Sequence, residues 1–204
     1  MTIKVLGLST SPRPNSNSDL LLRQALAGAQ SAGAHTEYIR LSDLNISSCS
    51  ECNRCYATGI CVIDDDYQSL SEKLLDTDRF IFATPIFFMS VCAQAKTLID
   101  RSQCHWAQKY VLKKQLTGKQ DRRAMVIAVG GSKSTKMFDN IRSTMKSYFD
   151  ALQMQYAANL FVNKVSDAGQ IEKHIAAFAE AFRLGKDLVT APTSLVNPFD
   201  IVLT

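Results

Sequence analysis

No stretch of this 204-residue chain is apolar for long enough to cross a bilayer; the longest, Phe80 to Met89, is broken by Thr84 and Pro85. An excess of one charge is also missing. The 23 Lys and Arg against 19 Asp and Glu leave a net +4, without the dense basic stripe and interleaved aromatics that nucleic acids require. Met1-Thr2-Ile3-Lys4 ahead of Val5-Leu6-Gly7-Leu8-Ser9 lacks the long apolar core and small-residue cleavage site of a secretory leader. The expectation is a cytoplasmic protein with no membrane and no nucleic-acid partner. Histidine is scarce, and His35, His105 and His174 stand in no triad or ligand spacing. The G-x-G-x-x-G fingerprint of dinucleotide sites is absent. Repeats, low-complexity tracts and linkers are lacking too.

What is present is alternation. Short apolar runs suited to buried strands (Ile3 to Ser9, Thr36 to Leu41, Arg79 to Thr84, Arg123 to Val129, Tyr156 to Val162) are separated by helix-period segments. Those helices run from Ser18 to about Gly33, from about Asp66 to Leu75, from about Ala93 past Ile99, along Met137 to Leu152, and along Ile171 to Phe182. Such alternation predicts an α/β fold, a doubly wound five-stranded parallel sheet with helices on both faces. Residues 1–190 form one domain in this reading. The tail 191–204, with Pro192 and Pro198, is non-helical, either a strap along the domain or a dimer contact.

Ligands of such sheets bind at the carboxyl ends of the strands. The loop after the first strand, Ser9-Thr10-Ser11-Pro12-Arg13-Pro14-Asn15-Ser16-Asn17-Ser18, offers hydroxyls, an amide and one cation ahead of a helix N-terminus. That set suits a phosphate; it is equally a Pro/Asn/Ser turn with an N-cap. After the third strand, Thr84-Pro85-Ile86-Phe87-Phe88-Met89 supplies apolar side chains and amides suited to a flat isoalloxazine ring, or simply core. Gly130-Gly131 after the fourth strand would let backbone approach a ring closely, or make a plain turn.

Cys49, Cys52, Cys55 and Cys61 make C-x2-C-x2-C-x5-C. Thiols in a reducing compartment read as metal ligands or redox groups before disulfides. The compact start matches ferredoxin cluster runs better than structural zinc, whose two C-x-x-C pairs stand farther apart. Cys92 and Cys104 lie in or near helical pattern and read as small buried hydrophobes. The stretch from Lys109 to Arg123, with Lys113, Lys114, Lys119 and Arg122, reads either as a solvated loop or as a docking patch for an acidic ferredoxin or a nucleotide phosphate.

Together these segments resemble a known group. The first loop is similar to the S-x-R-x-x-S-N-S/T phosphate loop of the flavodoxin-like NAD(P)H-dependent FMN reductases. Thr84 to Phe88, with Lys96 and Ile99-Asp100-Arg101, resembles that group's T-P-x-Y/F-x and K-x-x-x-D-R stretches. The cysteine spacing, continuing through Val62-Ile63-Asp64-Asp65-Asp66, resembles the iron-sulfur flavoproteins. Departures are Phe87 where Tyr is common, Ser48 where a proline often stands, and Ser50-Glu51 in place of a small apolar pair.

The resemblance implies a flavodoxin-like fold with FMN held by Ser9, Ser11, Arg13, Ser16, Asn17, Ser18, Thr84, Pro85, Ile86, Phe87, Phe88, Met89, Gly130 and Gly131. It implies a [4Fe-4S] cluster on Cys49, Cys52, Cys55 and Cys61. The activity would be electron transfer with no catalytic side chain, in a homo-oligomer (dimer or tetramer) whose donor is NAD(P)H or a ferredoxin-like carrier. Alternatives are a cluster-free NAD(P)H-dependent FMN or quinone reductase of the same fold, and a zinc-stabilised or redox-sensing non-catalytic module.

Overall fold

The computed structural model describes residues 2–192 and 199–204. Its central strands are β1 (Lys4–Ser9), with β2 (His35–Arg40) on its outer side, and β3 (Arg79–Phe87). β3 continues past the parallel sheet to pair with the two-residue β4 (Ser90–Val91), and β5 (Arg123–Val129) lies on its other side. Neighbouring residues of these strands alternate between two cores. Leu6, Leu8, Phe80, Phe82 and Val126 face one side, whereas Val5, Ile81, Ala83, Met125 and Ile127 face the other. Burial on both faces is why the strands read as continuous apolar runs.

α1 (Asn17–Ser31) and α7 (Ile175–Thr190) cover the second face. α3 (Tyr67–Asp76), α4 (Ala93–Arg101) and α6 (Lys136–Ala151) cover the first. The short α2 (Cys55–Thr58) lies within the cysteine loop, and α5 (Gln103–Trp106) prolongs α4 into one π turn, Ala107–Val111. α1 and α7 cross where both have glycine: a Cβ on Gly28 would overlap the Phe182 carbonyl, and one on Gly185 the Ala25 carbonyl.

Two expectations are corrected. The sheet has a sixth parallel strand, since β6 (Gln155–Val162) pairs on its outer side with β7 (Phe199–Leu203). The parallel order is therefore β2-β1-β3-β5-β6-β7. The last residues of the tail thus extend the sheet edge; residues 193–198 of that tail lie outside the described residues. Likewise β3 does not stop at Pro85 but runs to Phe87, because Ile86 and Phe87 find antiparallel partners in Val91 and Ser90. Pro85 sits at the end of the β3–β5 ladder, opposite Val129.

The chain leaves β1 outward to β2 and returns on its other side to β3, so the switch in strand order falls between β1 and β3. No helix among the described residues is long and apolar enough to cross a membrane.

Candidate functional site

At the carboxyl ends of β1, β3 and β5 the loops enclose a cavity of about 300 Å³. Ser11, Arg13, Ser16, Asn17 and Ser18 line it from the first loop, Pro85, Ile86 and Phe87 from the second, and Gly130 and Gly131 from the third. Three separate sequence segments are therefore brought together at the switch point, where α/β sheets hold ligands.

The first loop is built around the start of α1. The Ser16 hydroxyl caps the helix by accepting from the Asp19 amide at 3.3 Å, and Ser11 Oγ accepts from the Arg13 amide at 3.2 Å. The Arg13 side chain is exposed and its guanidinium makes no ion pair among the described residues. One negative charge lies beneath this loop, the buried Asp19, and it is already matched. It accepts from Tyr38 Oη at 2.7 Å and from Arg23 Nε at 3.2 Å. Burial, then the hydrogen bond to Asp19, pushes the Tyr38 phenol up to about 12, so it stays a donor. Arg13 and the first-turn amides thus give the loop a positive character fit for an anion.

Not every expected residue lines the cavity. Ser9 is buried at the end of β1, and Thr84 is buried with its hydroxyl donating to the Pro85 carbonyl at 2.9 Å. Phe88 and Met89 form the tip of the β3–β4 hairpin, outside the wall, with Phe88 fully exposed. Asn17 borders the cavity and its side chain also holds a neighbouring segment, donating one N–H to the Asp167 carbonyl at 2.8 Å and accepting from the Ile171 amide at 3.2 Å, which leaves its second N–H for the cavity. That clamp brings in a fourth loop, whose Val165 and Ser166 complete the wall. No sequence motif pointed to them; a Cβ on Gly131 would meet the Ser166 hydroxyl, which would have to rotate away.

The four loop cysteines line a second, larger cavity of about 550 Å³, closed by the end of α4, α5 and one side of α6. All four are free thiols, Cys52 exposed and the others half-buried. Their loop is tightly wound, with left-handed backbone at Glu51, Asn53 and Gly59. The Glu51 amide approaches Cys49 Sγ at 3.4 Å, and the Arg54 amide pulls the Cys52 thiol down from its ordinary value. Burial pushes the Cys55 thiol up; its own backbone amide opposes this, and the neighbouring Cys61, Cys49 and Cys52 add to it. Among the described residues, however, no three His, Cys, Asp or Glu side chains converge on a point fit for a single metal ion.

Arg101, at the end of α4, fastens this loop at both ends. It is fully buried and donates to the carbonyls of Ser47 and Ile63 and to both oxygens of Asp65. Behind it His105 Nε2 lies 2.9 Å from Ser71 Oγ, and Tyr67 Oη lies 3.3 Å from Cys104 Sγ. Cys92 and Cys104 are buried, as their helical setting led one to expect.

The basic stretch is largely committed to structure. Arg122 is buried, donating to the carbonyls of Leu74, Thr77 and Leu152. Lys109 pairs with Asp150 at 2.7 Å and Lys119 with Asp78 at 2.7 Å. The docking-patch reading is left with Lys113 and Lys114.

Comparison with known proteins places this geometry. Residues 3–165 match the family model described as NADPH-dependent FMN reductase. An iron-sulfur flavoprotein of Methanocaldococcus jannaschii is 42% identical over 101 residues, spanning 50% of this chain and 52% of that protein. Against that relative the chain therefore covers about half its length. An iron-sulfur flavoprotein of Methanosarcina thermophila is 30% identical over 69% of this chain and 70% of its own. Among solved structures, an NAD(P)H:quinone oxidoreductase from Methanothermobacter marburgensis superposes with TM-score 0.71 over 92% of this chain and 96% of that one, at 18% identity, which shows the shared flavodoxin-like fold.

Proposed function

This chain belongs to the NADPH-dependent FMN reductase family, among its iron-sulfur flavoproteins, and from that premise we propose that it is a flavin-dependent oxidoreductase carrying FMN and a [4Fe-4S] cluster. The observation that carries the reading is the pairing of two cavities in one fold. One lies at the switch point with a free cation and a helix N-terminus, and the other is walled by four cysteines.

FMN fits the smaller cavity by the chemistry of its wall. Arg13, Ser11, Ser16, Ser18 and the first-turn amides of α1 would take the phosphate. The apolar Pro85, Ile86 and Phe87, with the unencumbered backbone at Gly130 and Gly131, would take the ring. Asn17 would add its second amide N–H to the phosphate site while fastening the loop that carries Ser166.

A [4Fe-4S] cluster fits the larger cavity. It takes one thiolate on each of four irons, so its ligands need not converge as those of a single ion must. Cys49, Cys52, Cys55 and Cys61, all free thiols, share one wall. When bound, FMN supplies hydride and single-electron chemistry and the cluster single-electron chemistry. The protein's own residues bind, orient and exclude water; none is needed as acid, base or nucleophile. NAD(P)H or a ferredoxin-like carrier would be the donor, with the protein acting as a homo-oligomer in the cytoplasm.

A cluster-free reductase of the same fold is the second reading, since the flavin cavity stands apart from the four thiols, which are free. Anaerobic purification with iron and sulfide analysis separates the two. About four irons and one FMN per chain support the first; a flavin spectrum without iron supports the second. Comparing reduction of bound FMN by NADH, NADPH and reduced ferredoxin then identifies the donor.

A further inference from the structure

The wall of the thiol cavity contains two hydrogen-bond donors that the protein leaves unused. A guanidinium has five N–H donors, and four of those on Arg101 are taken. Nη1 donates to Ser47 O at 2.8 Å and Asp65 Oδ2 at 2.6 Å, and Nη2 to Ile63 O at 3.2 Å and Asp65 Oδ1 at 3.0 Å. The fifth, on Nε, is buried and makes no hydrogen bond among the described residues. The hydroxyl of Tyr148, buried on α6, likewise makes no hydrogen bond of ordinary geometry among the described residues, although the Ser102 side chain is near enough to act on it.

A buried donor left unpaired is destabilising, and two on one cavity wall call for an acceptor. The other buried polar atoms left without partners among the described residues belong to Arg40, Gln68, His105 and Asn163, none of which lines this cavity. The cavity wall carries the four cysteine sulfurs beside the carboxylates of Glu51 and Asp100 and the hydroxyls of Ser102, Thr144 and Ser147, and of the sulfurs it is Cys61 that acts on Arg101. Burial opposes the charge on Arg101, but Asp65, and then the Cys61 sulfur, more than offset it. Asp65 occupies both terminal nitrogens and so fixes the direction of Nε.

Resting on the cluster reading above, we propose that Arg101 and Tyr148 are the hydrogen-bond donors to the sulfurs of that cluster, and that the buried charge of Arg101 raises its reduction potential. Both are positioning residues and neither is a ligand. Reduction adds negative charge to the cluster, and a donor N–H, a donor O–H or a fixed cation beside its sulfur stabilises the reduced state more than the oxidised one.

The test uses the full chain purified anaerobically, with iron and acid-labile sulfide counted, and the reduced cluster followed by EPR during a redox titration. In Arg101→Gln the ratio of reduced to oxidised cluster at a fixed ambient potential falls at least tenfold, about 59 mV for one electron. In Tyr148→Phe, which keeps the ring and the packing, it falls by a smaller factor. The FMN midpoint stays in place in both. Arg101 also fastens the loop, so the native protein gives a reading that needs no folded variant. With arginine labelled by nitrogen-15 in its guanidinium, pulsed EPR of the reduced cluster carries a coupling to that nitrogen. Protein without iron overturns the cluster reading and this proposal with it. Four-iron protein with an unmoved midpoint in Arg101→Gln, or without the arginine coupling, overturns the role of Arg101 alone. An unmoved midpoint in Tyr148→Phe does the same for Tyr148.

Discussion

Arg101 grips Asp65 with both terminal nitrogens, at 2.6 and 3.0 Å, in the protein interior. Asp65 also accepts from the amides of Ser47 at 2.9 Å and Tyr67 at 3.1 Å, so this one carboxylate ties the start of the cysteine loop to the start of α3. Asp65→Asn keeps the shape and removes the counter-charge. The stranded buried cation should cost about 3–5 kcal/mol, read as a lower urea midpoint. Burial works against the Asp65 charge, yet Arg101 and the two amides outweigh it and hold the carboxyl below its ordinary value. A depressed carboxyl contributes its stability above the unfolded pKa and loses it as pH falls through the folded one. The loop should therefore stay protected from proteases at pH 5 and open only in stronger acid.

His105 gives a second pH dependence, in a higher window. Burial, with the nearby Arg122 charge, lowers it to about 4, so the ring is neutral when folded and titrates near 6.5 when unfolded. The unfolded chain binds the extra proton between those values, and stability falls as pH drops through that window. The loss at pH 5 should be about 2 kcal/mol. Urea titrations at pH 7 and pH 5 measure it, and in His105→Gln the difference between the two should largely vanish.

The crossing of α1 and α7 depends on two glycines. A methyl at Gly28 or Gly185 meets a helix backbone carbonyl, which cannot rotate away as a side chain can. Gly28→Ala and Gly185→Ala should each destabilise by about 3 kcal/mol, against the helix-propensity gain of about 1 kcal/mol expected at an open site. Thermal unfolding decides it: a raised melting temperature in either variant would contradict the crossing geometry.

Arg13 supplies the free cation of the smaller cavity. Arg13→Ala should weaken FMN binding about ten- to hundredfold, the range for losing a charged hydrogen bond, while riboflavin, which lacks the phosphate, loses nothing. Flavin fluorescence titration of the apoprotein measures both. Equal losses for the two flavins would assign Arg13 to the ring or to the fold instead of the phosphate.

The parts legible in sequence were those written in local pattern. Phe80 to Ala83 and Ala124 to Val129 announce central strands because both faces are buried, and the cysteines announce a shared site through spacing alone. What was not legible depends on distant partners. Asn17 reads as a phosphate-loop amide, yet its side chain also ties down Asp167 and Ile171, about 150 positions away. Val165 and Ser166 carry no motif and join the cavity only through that clamp. β7 exists because β6 offers it a free edge, a fact that no property of Phe199 to Leu203 encodes. Arg101 stands in a recognisable stretch, but its hold on Ser47, Ile63 and Asp65 follows from where α4 ends.

The β3–β4 hairpin turns at Phe88 and Met89, both with positive φ, 47° and 65°. Two-residue hairpin loops of this kind favour Asn and Gly because side chains there strain the backbone, at about 1–2 kcal/mol for each such residue. Phe88 is fully exposed, so burial does not offset that strain. The turn is held by the Phe87–Ser90 pair and by Asn140, whose side-chain amide donates to the Met89 carbonyl at 3.1 Å. Phe87, one residue before the turn, lines the cavity assigned to FMN. Strained residues of this kind cluster at active sites and ligand clamps. The double change Phe88→Asn with Met89→Gly should raise stability by about 1–2 kcal/mol and lower the rate at which bound FMN is reduced by NAD(P)H, since the exposed ring and thioether next to Phe87 are lost. Urea unfolding and stopped-flow flavin bleaching measure the two effects. A more stable protein with an unchanged bleaching rate would leave the tip of the hairpin no part in the reaction.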